Sequence, residues 1–195
     1  LSLEERMTIC NMSIEAGARA GMFAPDNKTF DYLVDKPMSP KGLDWEEAMQ
    51  KWSRLVTDDD AEFDKEVSID VDQLSPMVTY GTNPGMAMQI DDTVPESNGD
   101  LGYKQSLNYM QIEAGKPIIG KEIDVVFIGS CTNSRISDLH DAAEILKGRK
   151  VSNGVRALVV PGSQAVKKEA ESLGLDKIFE SAGAEWRESG CSMCL

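Results

Sequence analysis

Positive charge is scarce in this sequence. Its 195 residues include 20 Lys and Arg against 33 Asp and Glu, which gives a formal net charge of −13 at pH 7. A surface this acidic repels a phosphate backbone, so the sequence argues against nucleic acid as a partner. The overall charge does not attract an anionic substrate either. Such a substrate would need local positive charge from a metal or from arginines.

Long apolar runs are also missing. No stretch approaches the ~20 residues that a membrane-spanning helix needs. The first ten residues, LSLEERMTIC, lack the basic and apolar regions of a signal peptide. We therefore predict no membrane association and a cytoplasmic location. Because the chain opens directly in a helix signal and stops one residue after Cys194, we also expect it to be part of a longer protein.

Cysteine and histidine are few. The four cysteines are Cys10, Cys131, Cys191 and Cys194, and the single histidine is His140. Two disulfides in a secreted domain are possible, but such domains are usually smaller and richer in cysteine, so a reduced intracellular protein fits better. A zinc site built from these cysteines would have no obvious fourth ligand.

The first half of the sequence predicts mostly helices. Ser2 and Glu5 form a capping-box pattern at the start of the first one. Its apolar positions recur at helical spacing, and Gly21 and Pro25 are expected to end it. Those positions are Met7, Cys10, Ile14 and Ala18.

Further elements are expected before residue 116. A short helix is predicted over 27–34, and a third helix begins with Asp44 as its N-cap and carries an apolar stripe up to Leu55. Alternating apolar and polar residues predict a half-buried strand at 67–72. Residues 81–102 indicate loops, and 103–113 a modest helix.

The second half alternates strands and helices. Buried strands are predicted at 125–128 and 157–160. Helices are predicted at 136–146, 164–173 and 175–182. This order predicts an α/β fold with a parallel sheet covered on both faces. A soft boundary near residue 116 divides the chain into domains 1–115 and 116–195.

Three cysteines lie where a ligand site is expected. Cys131, in GSCTNS, directly follows a predicted strand, and ligands of parallel sheets bind beyond the carboxyl ends of strands. Cys191 and Cys194 form a C-x-x-C pair, which alone could be a redox pair, half a zinc site or chance. A structural iron–sulfur cluster normally has four cysteines. An iron without a protein ligand could bind substrate, as a catalytic zinc does at its open position.

Three motifs resemble those of the aconitase superfamily of iron–sulfur dehydratases. VVFIGSCTNSRISDL resembles its first cluster motif, GCSMC its second, and ERMTICNMSIEAGARAG a further signature. The sequence between these motifs resembles, more specifically, large subunits of isopropylmalate-type dehydratases. The resemblance implies part of an aconitase-like three-layer α/β/α fold with mostly parallel sheets.

The resemblance also implies a chemistry. It implies a [4Fe-4S] cluster held by Cys131, Cys191 and Cys194, with one open iron that acts on a small hydroxy-dicarboxylic acid. It implies a hydro-lyase whose separate small subunit completes the active site. The family's upstream histidine–aspartate pairs and the arginine-rich segment after its second cluster motif are absent here. The chain alone is therefore expected to be inactive.

Other polar residues have competing interpretations. Asn11 and Glu15, four apart, indicate a solvated helix face, whereas the resemblance implies that they approach the cluster and support a catalytic histidine. Asn133 and Ser134 are expected to cap the helix after Cys131, with Ser130 shaping the turn. Cys10 is expected in the core, and His140 is expected to be exposed.

Several functional alternatives stay open at this point. Within the family, a homoaconitase-like or citramalate-type dehydratase would show the same motifs. A non-catalytic metal-binding protein or an RNA-regulatory relative of aconitase is a different class. The net charge of −13 and the lack of a basic stripe oppose RNA binding.

Overall fold

The computed structural model describes residues 1–191. Their contacts form two compact units, one from residues 1–61 together with the chain from 123 onward, and the other from residues 62–122. Residue 116, the expected boundary, lies inside the second unit. The division into 1–115 and 116–195 stays a prediction about the domains of the whole protein.

Helix α1, Leu3–Met12, begins with the predicted capping box. The Glu5 amide donates to Ser2 Oγ at 3.1 Å, and the Ser2 amide donates to Glu5 Oε2 at 2.6 Å. The helix ends before the predicted stripe does, and Ile14 is exposed. The hydroxyl of Ser13 bonds to the backbone of α1, and Gly17 adopts a φ of +84° that a helix does not allow.

Two more helices follow in the first unit. Helix α2, Asn27–Leu33, matches the predicted short helix, and the Asp26 side chain caps it. Helix α3, Leu43–Trp52, begins after Gly42, so the prediction of Asp44 as N-cap is wrong. Gly42 has a φ of +58°, and Asp44 lies in the first turn, where its charge favours the helix dipole. Leu55 lies beyond the end of α3 and is exposed.

The second unit differs most from expectation. The predicted strand at 67–72 is wrong: its apolar side chains are exposed, and the segment leads into a 3₁₀ turn, Val71–Gln73. Strands β1, Met77–Thr79, and β2, Ala87–Gln89, pair antiparallel. The prediction of loops throughout 81–102 is therefore wrong at β2.

A small core and a helix complete the second unit. Helix α4, Leu101–Met110, is capped by Asp100, whose carboxylate accepts from the Gly102 amide at 2.8 Å. Helix α4 covers most of the predicted 103–113 and begins two residues earlier. Five buried side chains form the core of this unit: Tyr80, Met86, Met88, Val94 and Leu107.

The first unit contains the predicted parallel sheet. Strands β3, Val125–Gly129, β4, Arg156–Val160, and β5, Glu185–Trp186, pair in the order β3-β4-β5. Four of the five residues of the central strand β4 are buried, as predicted. The prediction of a buried strand is wrong for β3, which is half-buried because it is an edge strand with one neighbour.

Three helices connect these strands. They are α5, Ile136–Leu146, α6, Gln164–Ser172, and α7, Leu175–Ala182, and all three match their predictions closely. They contact one another. Strand order advances in one direction, so right-handed crossovers place all three on the same face of the sheet. The α/β class and the parallel sheet are confirmed, with one helical layer supplied by these connections.

The core of the sheet lies between β4 and these helices. Phe179 on α7 is fully buried, and its ring stacks on that of Trp186 in β5 with centroids 5.7 Å apart. Leu139, Val159 and Ala170 belong to the same buried cluster. None of the helices in the described part of the chain is long and apolar enough to cross a membrane.

Replacing Phe179 with alanine is expected to lower the free energy of unfolding by about 3–5 kcal/mol. The change removes a buried ring and leaves a cavity beneath β5. Urea unfolding followed by circular dichroism measures this loss of free energy of unfolding. Leu173→Ala is the control, because Leu173 is 53% exposed and its loss leaves no cavity. Equal stability of the two variants would contradict this account of the core.

Candidate functional site

Cys131 lies in a loop at the carboxyl end of β3. The strand ends at Gly129, and the thiol two residues later is exposed. The Asn133 amide donates to Ser130 Oγ at 3.2 Å, which confirms that Ser130 shapes this turn. The thiol therefore occupies the edge of the sheet where ligands of parallel sheets bind.

Gly162, after β4, holds this loop in place. Its amide donates to the carbonyl oxygen of Ser134 at 2.9 Å. A Cβ on Gly162 would lie 2.9 Å from that oxygen and 3.2 Å from the carbonyl oxygen of Cys131, so a larger residue would displace the loop. The backbone contact explains why glycine occurs there.

The helix after the loop is not capped as predicted. Arg135 is the N-cap of α5, and its amide donates to Asp138 Oδ2 at 2.9 Å. The predicted capping by Asn133 and Ser134 is wrong, because the backbone is still extended at Arg135, with φ −74° and ψ 173°. Ser134 is fully buried, and its Oγ has no hydrogen-bond partner among residues 1–191.

Helix α1 packs against this loop, which the sequence did not predict. Asn133 Nδ2 donates to Thr8 Oγ1 at 2.9 Å, and an Nη of Arg135 contacts Met7 Sδ at 3.5 Å. These contacts join the third family motif to the first across more than a hundred residues. Thr8 lies on α1 one helical turn before Asn11, so the side of α1 that carries Thr8 faces the Cys131 loop.

The remaining candidates lie on α1 and in the turns after it. Cys10 is half-buried and, with Thr132 and Arg135, lines a groove of about 810 Å³. Gly21 packs closely on Cys10, since a Cβ there would lie 2.7 Å from the Cys10 Cα. Asn11 and Glu15 are both exposed. The interpretation of these two as one helical face is wrong, because α1 ends at Met12 and Glu15 follows in tight turns.

Cys191 follows the end of β5 by five residues and is exposed. In the register of the sheet, Trp186 at the end of β5 lies opposite Val159, which lies opposite Ile128 in β3. The segments that carry Cys131 and Cys191 therefore leave the sheet at the same edge. With β4 between them, they start about 10 Å apart, twice the usual strand spacing.

The described residues include two of the three cysteines that are expected to hold a metal site. Cys194 lies outside the described residues. Among residues 1–191, no three His, Cys, Asp or Glu side chains come together as a group that could hold a metal ion. His140 is exposed on α5, as expected. Two exposed thiols at one edge of a sheet are soft donors, which suit an iron–sulfur cluster or zinc.

Comparison with known families adds to this geometry. The chain matches the aconitase family (aconitate hydratase) model over residues 1–195. The chain belongs to the aconitase family. This assignment agrees with the α/β fold.

Individual relatives indicate a narrower group within this family. The chain is 59% identical over 201 aligned positions to the 3-isopropylmalate dehydratase large subunit of Roseiflexus castenholzii. It is 57% identical to that of Solibacter usitatus and 54% identical to that of Corynebacterium glutamicum. Each alignment covers 100% of this chain and 43%, 43% and 42% of the relative, respectively. The chain thus spans about two fifths of the length of these relatives.

Proposed function

We propose that this chain is the cluster-binding part of the large subunit of a 3-isopropylmalate dehydratase. Such an enzyme isomerises 2-isopropylmalate to 3-isopropylmalate by dehydration and rehydration in leucine biosynthesis, and we place it in the cytoplasm. The observation that carries the proposal is the common edge at which the Cys131 and Cys191 segments leave the sheet. The relatives' shared name supports the choice of reaction.

The cofactor in this proposal is a [4Fe-4S] cluster held by Cys131, Cys191 and Cys194. Both described thiols are exposed, as ligands of an added group must be. When bound, the cluster supplies a Lewis acid for the substrate's hydroxyl and carboxylate at the iron without a cysteine ligand. Three cysteines for four irons leave that position open to the substrate.

The chain's own residues hold this site together. The Asn133–Thr8 hydrogen bond and the Gly162–Ser134 backbone bond fix the Cys131 loop between α1 and the turn after β4. We propose that Asn11 and Glu15 approach the cluster from α1 and the turns after it, where they support a histidine of the complete enzyme. Both are exposed and therefore available for such a contact.

The partner in this proposal is the small subunit of the dehydratase, with which the large subunit forms a heterodimer. The small subunit would complete the pocket around a small hydroxy-dicarboxylic acid. The term "large subunit" in the relatives' names supports the proposal that the enzyme has two kinds of chain. Neither nucleic acid nor a membrane is a partner in this proposal.

Anaerobic reconstitution of the complete large subunit with iron and sulfide tests the proposal. We expect a brown protein with broad visible absorbance and with iron and acid-labile sulfide in equal amounts. Addition of the small subunit should then give turnover of 2-isopropylmalate. A colourless protein that binds zinc and takes up no sulfide would contradict the cluster assignment.

Replacing Cys10 with alanine is expected to leave iron and sulfide per chain unchanged. Cys10 is half-buried on α1, and the proposed cluster already takes its three ligands from the other cysteines, so its thiol is not required to hold iron. Metal and sulfide analysis of the reconstituted complete subunit measures this. Loss of one or more irons per chain in Cys10→Ala would show that the ligand set is wrong.

A further inference from the structure

We propose that Lys167 is a positioning residue for Cys191. Through its ion pair with Glu188, it holds the segment after β5 at the carboxyl edge of the sheet, where the cluster needs the thiol. The inference rests on the proposed function, because Cys191 is a ligand only in that function. Lys167 touches neither substrate nor cluster in this proposal.

The backbone alone gives this segment little support. Strand β5 is two residues long and has only β4 as a neighbour. Past its end, the Arg187 amide donates to the Val159 carbonyl oxygen at 3.0 Å. Between there and Cys191, the backbones of Ser189 and Gly190 make no hydrogen bond within the described residues. Side chains before Cys191 therefore contribute to fixing this segment.

Helix α6 supplies those side chains from one face. Gln164, Lys167 and Glu171 stand at helical spacing and point at the segment. Lys167 forms its ion pair with Glu188 and lies 3.7 Å from Glu171 Oε1. Gln164 Nε2 donates to the other carboxylate oxygen of Glu188 at 3.4 Å. The hydrogen bond from Lys167 lowers the pKa of Glu188, which keeps that carboxylate charged.

Lys167 is the better-fixed member of the pair. Its side chain is 14% exposed, whereas that of Glu188 is 74% exposed. Ala170, on the same helix, is fully buried in the core of the sheet. The more buried lysine therefore restrains the more exposed carboxylate of Glu188, which is only three residues before Cys191.

The start of α6 also connects the two cysteine segments. Ser163 caps α6 by accepting from the Val166 amide at 3.2 Å, and it directly follows Gly162. Gly162 is the residue on which the Cys131 loop packs. The turn before α6 thus contacts the Cys131 loop at Gly162, and α6 itself contacts the approach to Cys191 through Gln164 and Lys167. This arrangement sets the position of one thiol relative to the other.

Removing the charge of Lys167 should change the structure only near Glu188. Trp186 keeps its stacking on Phe179 and its hydrogen bond from Nε1 to Glu171 Oε1, at 3.1 Å. Methionine at position 167 retains an apolar stem of similar length, so the packing of α6 is preserved. Only residues after β5 should then lose a restraint.

The test compares Lys167→Met with Lys168→Met in the complete large subunit. Lys168 is the matched control, since it is the exposed neighbour on α6 and makes no ion pair within the described part of the chain. Hydrogen exchange of the Arg187 amide, which donates to the Val159 carbonyl oxygen, is measured without the cluster. The rate at which air bleaches the reconstituted cluster is measured by its visible absorbance and its EPR spectrum. The double change Lys167→Glu with Glu188→Lys restores an ion pair of reversed polarity.

We expect Lys167→Met to speed both exchange and cluster loss by roughly two- to fivefold, the factor that a partly exposed ion pair contributes. Lys168→Met should match the unchanged protein, and the double change should recover most of the difference. Lys167→Met that matches Lys168→Met in both measurements overturns the positioning role and leaves the proposed function standing. Faster exchange throughout α6 and β4 also overturns it, because that result indicates general destabilisation. If the unchanged protein takes up no iron or sulfide, the proposed function itself fails.

Discussion

Replacing Cys131 with serine in the complete large subunit is expected to remove the cluster and, with it, dehydratase turnover. Iron in such clusters is held by thiolates, and a serine hydroxyl is a harder donor that stays protonated near neutral pH. Iron and acid-labile sulfide per chain after anaerobic reconstitution measure the loss. Cys191→Ser and Cys194→Ser should have the same effect.

The structure indicates that the Cys131→Ser substitution will affect ligand binding without disturbing the fold. The Cys131 side chain is exposed, and within residues 1–191 its sulfur has one hydrogen-bonding neighbour, Thr132 Oγ1 at 3.8 Å. The loop is held through backbone atoms at Gly162 and through Asn133, so serine should leave the fold intact. Circular dichroism and Cys10→Ala serve as controls. A Cys131→Ser subunit with unchanged iron and sulfide would refute Cys131 as a ligand.

The isolated 195-residue chain is expected to show no measurable dehydratase turnover, even after reconstitution. Elimination of water needs a Lewis acid on the leaving hydroxyl, a base at the neighbouring carbon, and cations that bind both carboxylates. The cysteines of this chain can supply only the first. General acid–base catalysis alone contributes roughly 10²–10⁴-fold, so loss of base and cations together should abolish detectable activity.

The described residues support this expectation. His140 is on α5, exposed and apart from the motifs. Arg187, close to the Cys191 segment, already pairs with Glu185 at 2.9 Å. Arg135 forms no ion pair within residues 1–191 and contacts Met7 Sδ, but one arginine cannot bind two carboxylates in a fixed fork geometry.

A spectrophotometric assay of alkene-acid formation from 2-isopropylmalate measures this. The reconstituted chain is compared with the complete large subunit plus small subunit at equal cluster content. Equal cluster content separates a missing base from a missing cofactor. Turnover by the isolated chain comparable to that of the two-subunit enzyme would show that the catalytic groups lie within these 195 residues.

Local signals in the sequence predicted local structure well. The Ser2–Glu5 box starts α1, and the predicted helix 175–182 matches α7 at both ends. Gly174 and Gly183, both with positive φ, flank α7, and such boundaries depend only on neighbouring residues. The early end of α1 was missed because Ser13 bonds to the α1 backbone, a competition that apolar spacing does not reveal.

Strands were harder to predict because a strand exists only with a partner. The alternation at 67–72 is stronger than that of β5, yet β5 pairs with β4 and 67–72 pairs with no strand among the described residues. Period-two patterning reports which side chains share a face. It does not report whether a neighbour is available, and a two-residue strand such as β5 has no period to detect.

The sequence by itself determined the family motifs, the three thiols of the proposed cluster and the helix boundaries of the second half. These depend on side-chain chemistry and on contacts within one or two turns. The resemblance already predicted that the Cys131 and Cys191 segments meet at one edge of the sheet, where the strand register puts the start of each. Only the tertiary structure decided that Thr8 bonds to Asn133 and that Lys167 restrains Glu188. The physical reason is that parallel pairing and helix packing join residues far apart in the chain, and no local pattern encodes which distant residues will meet.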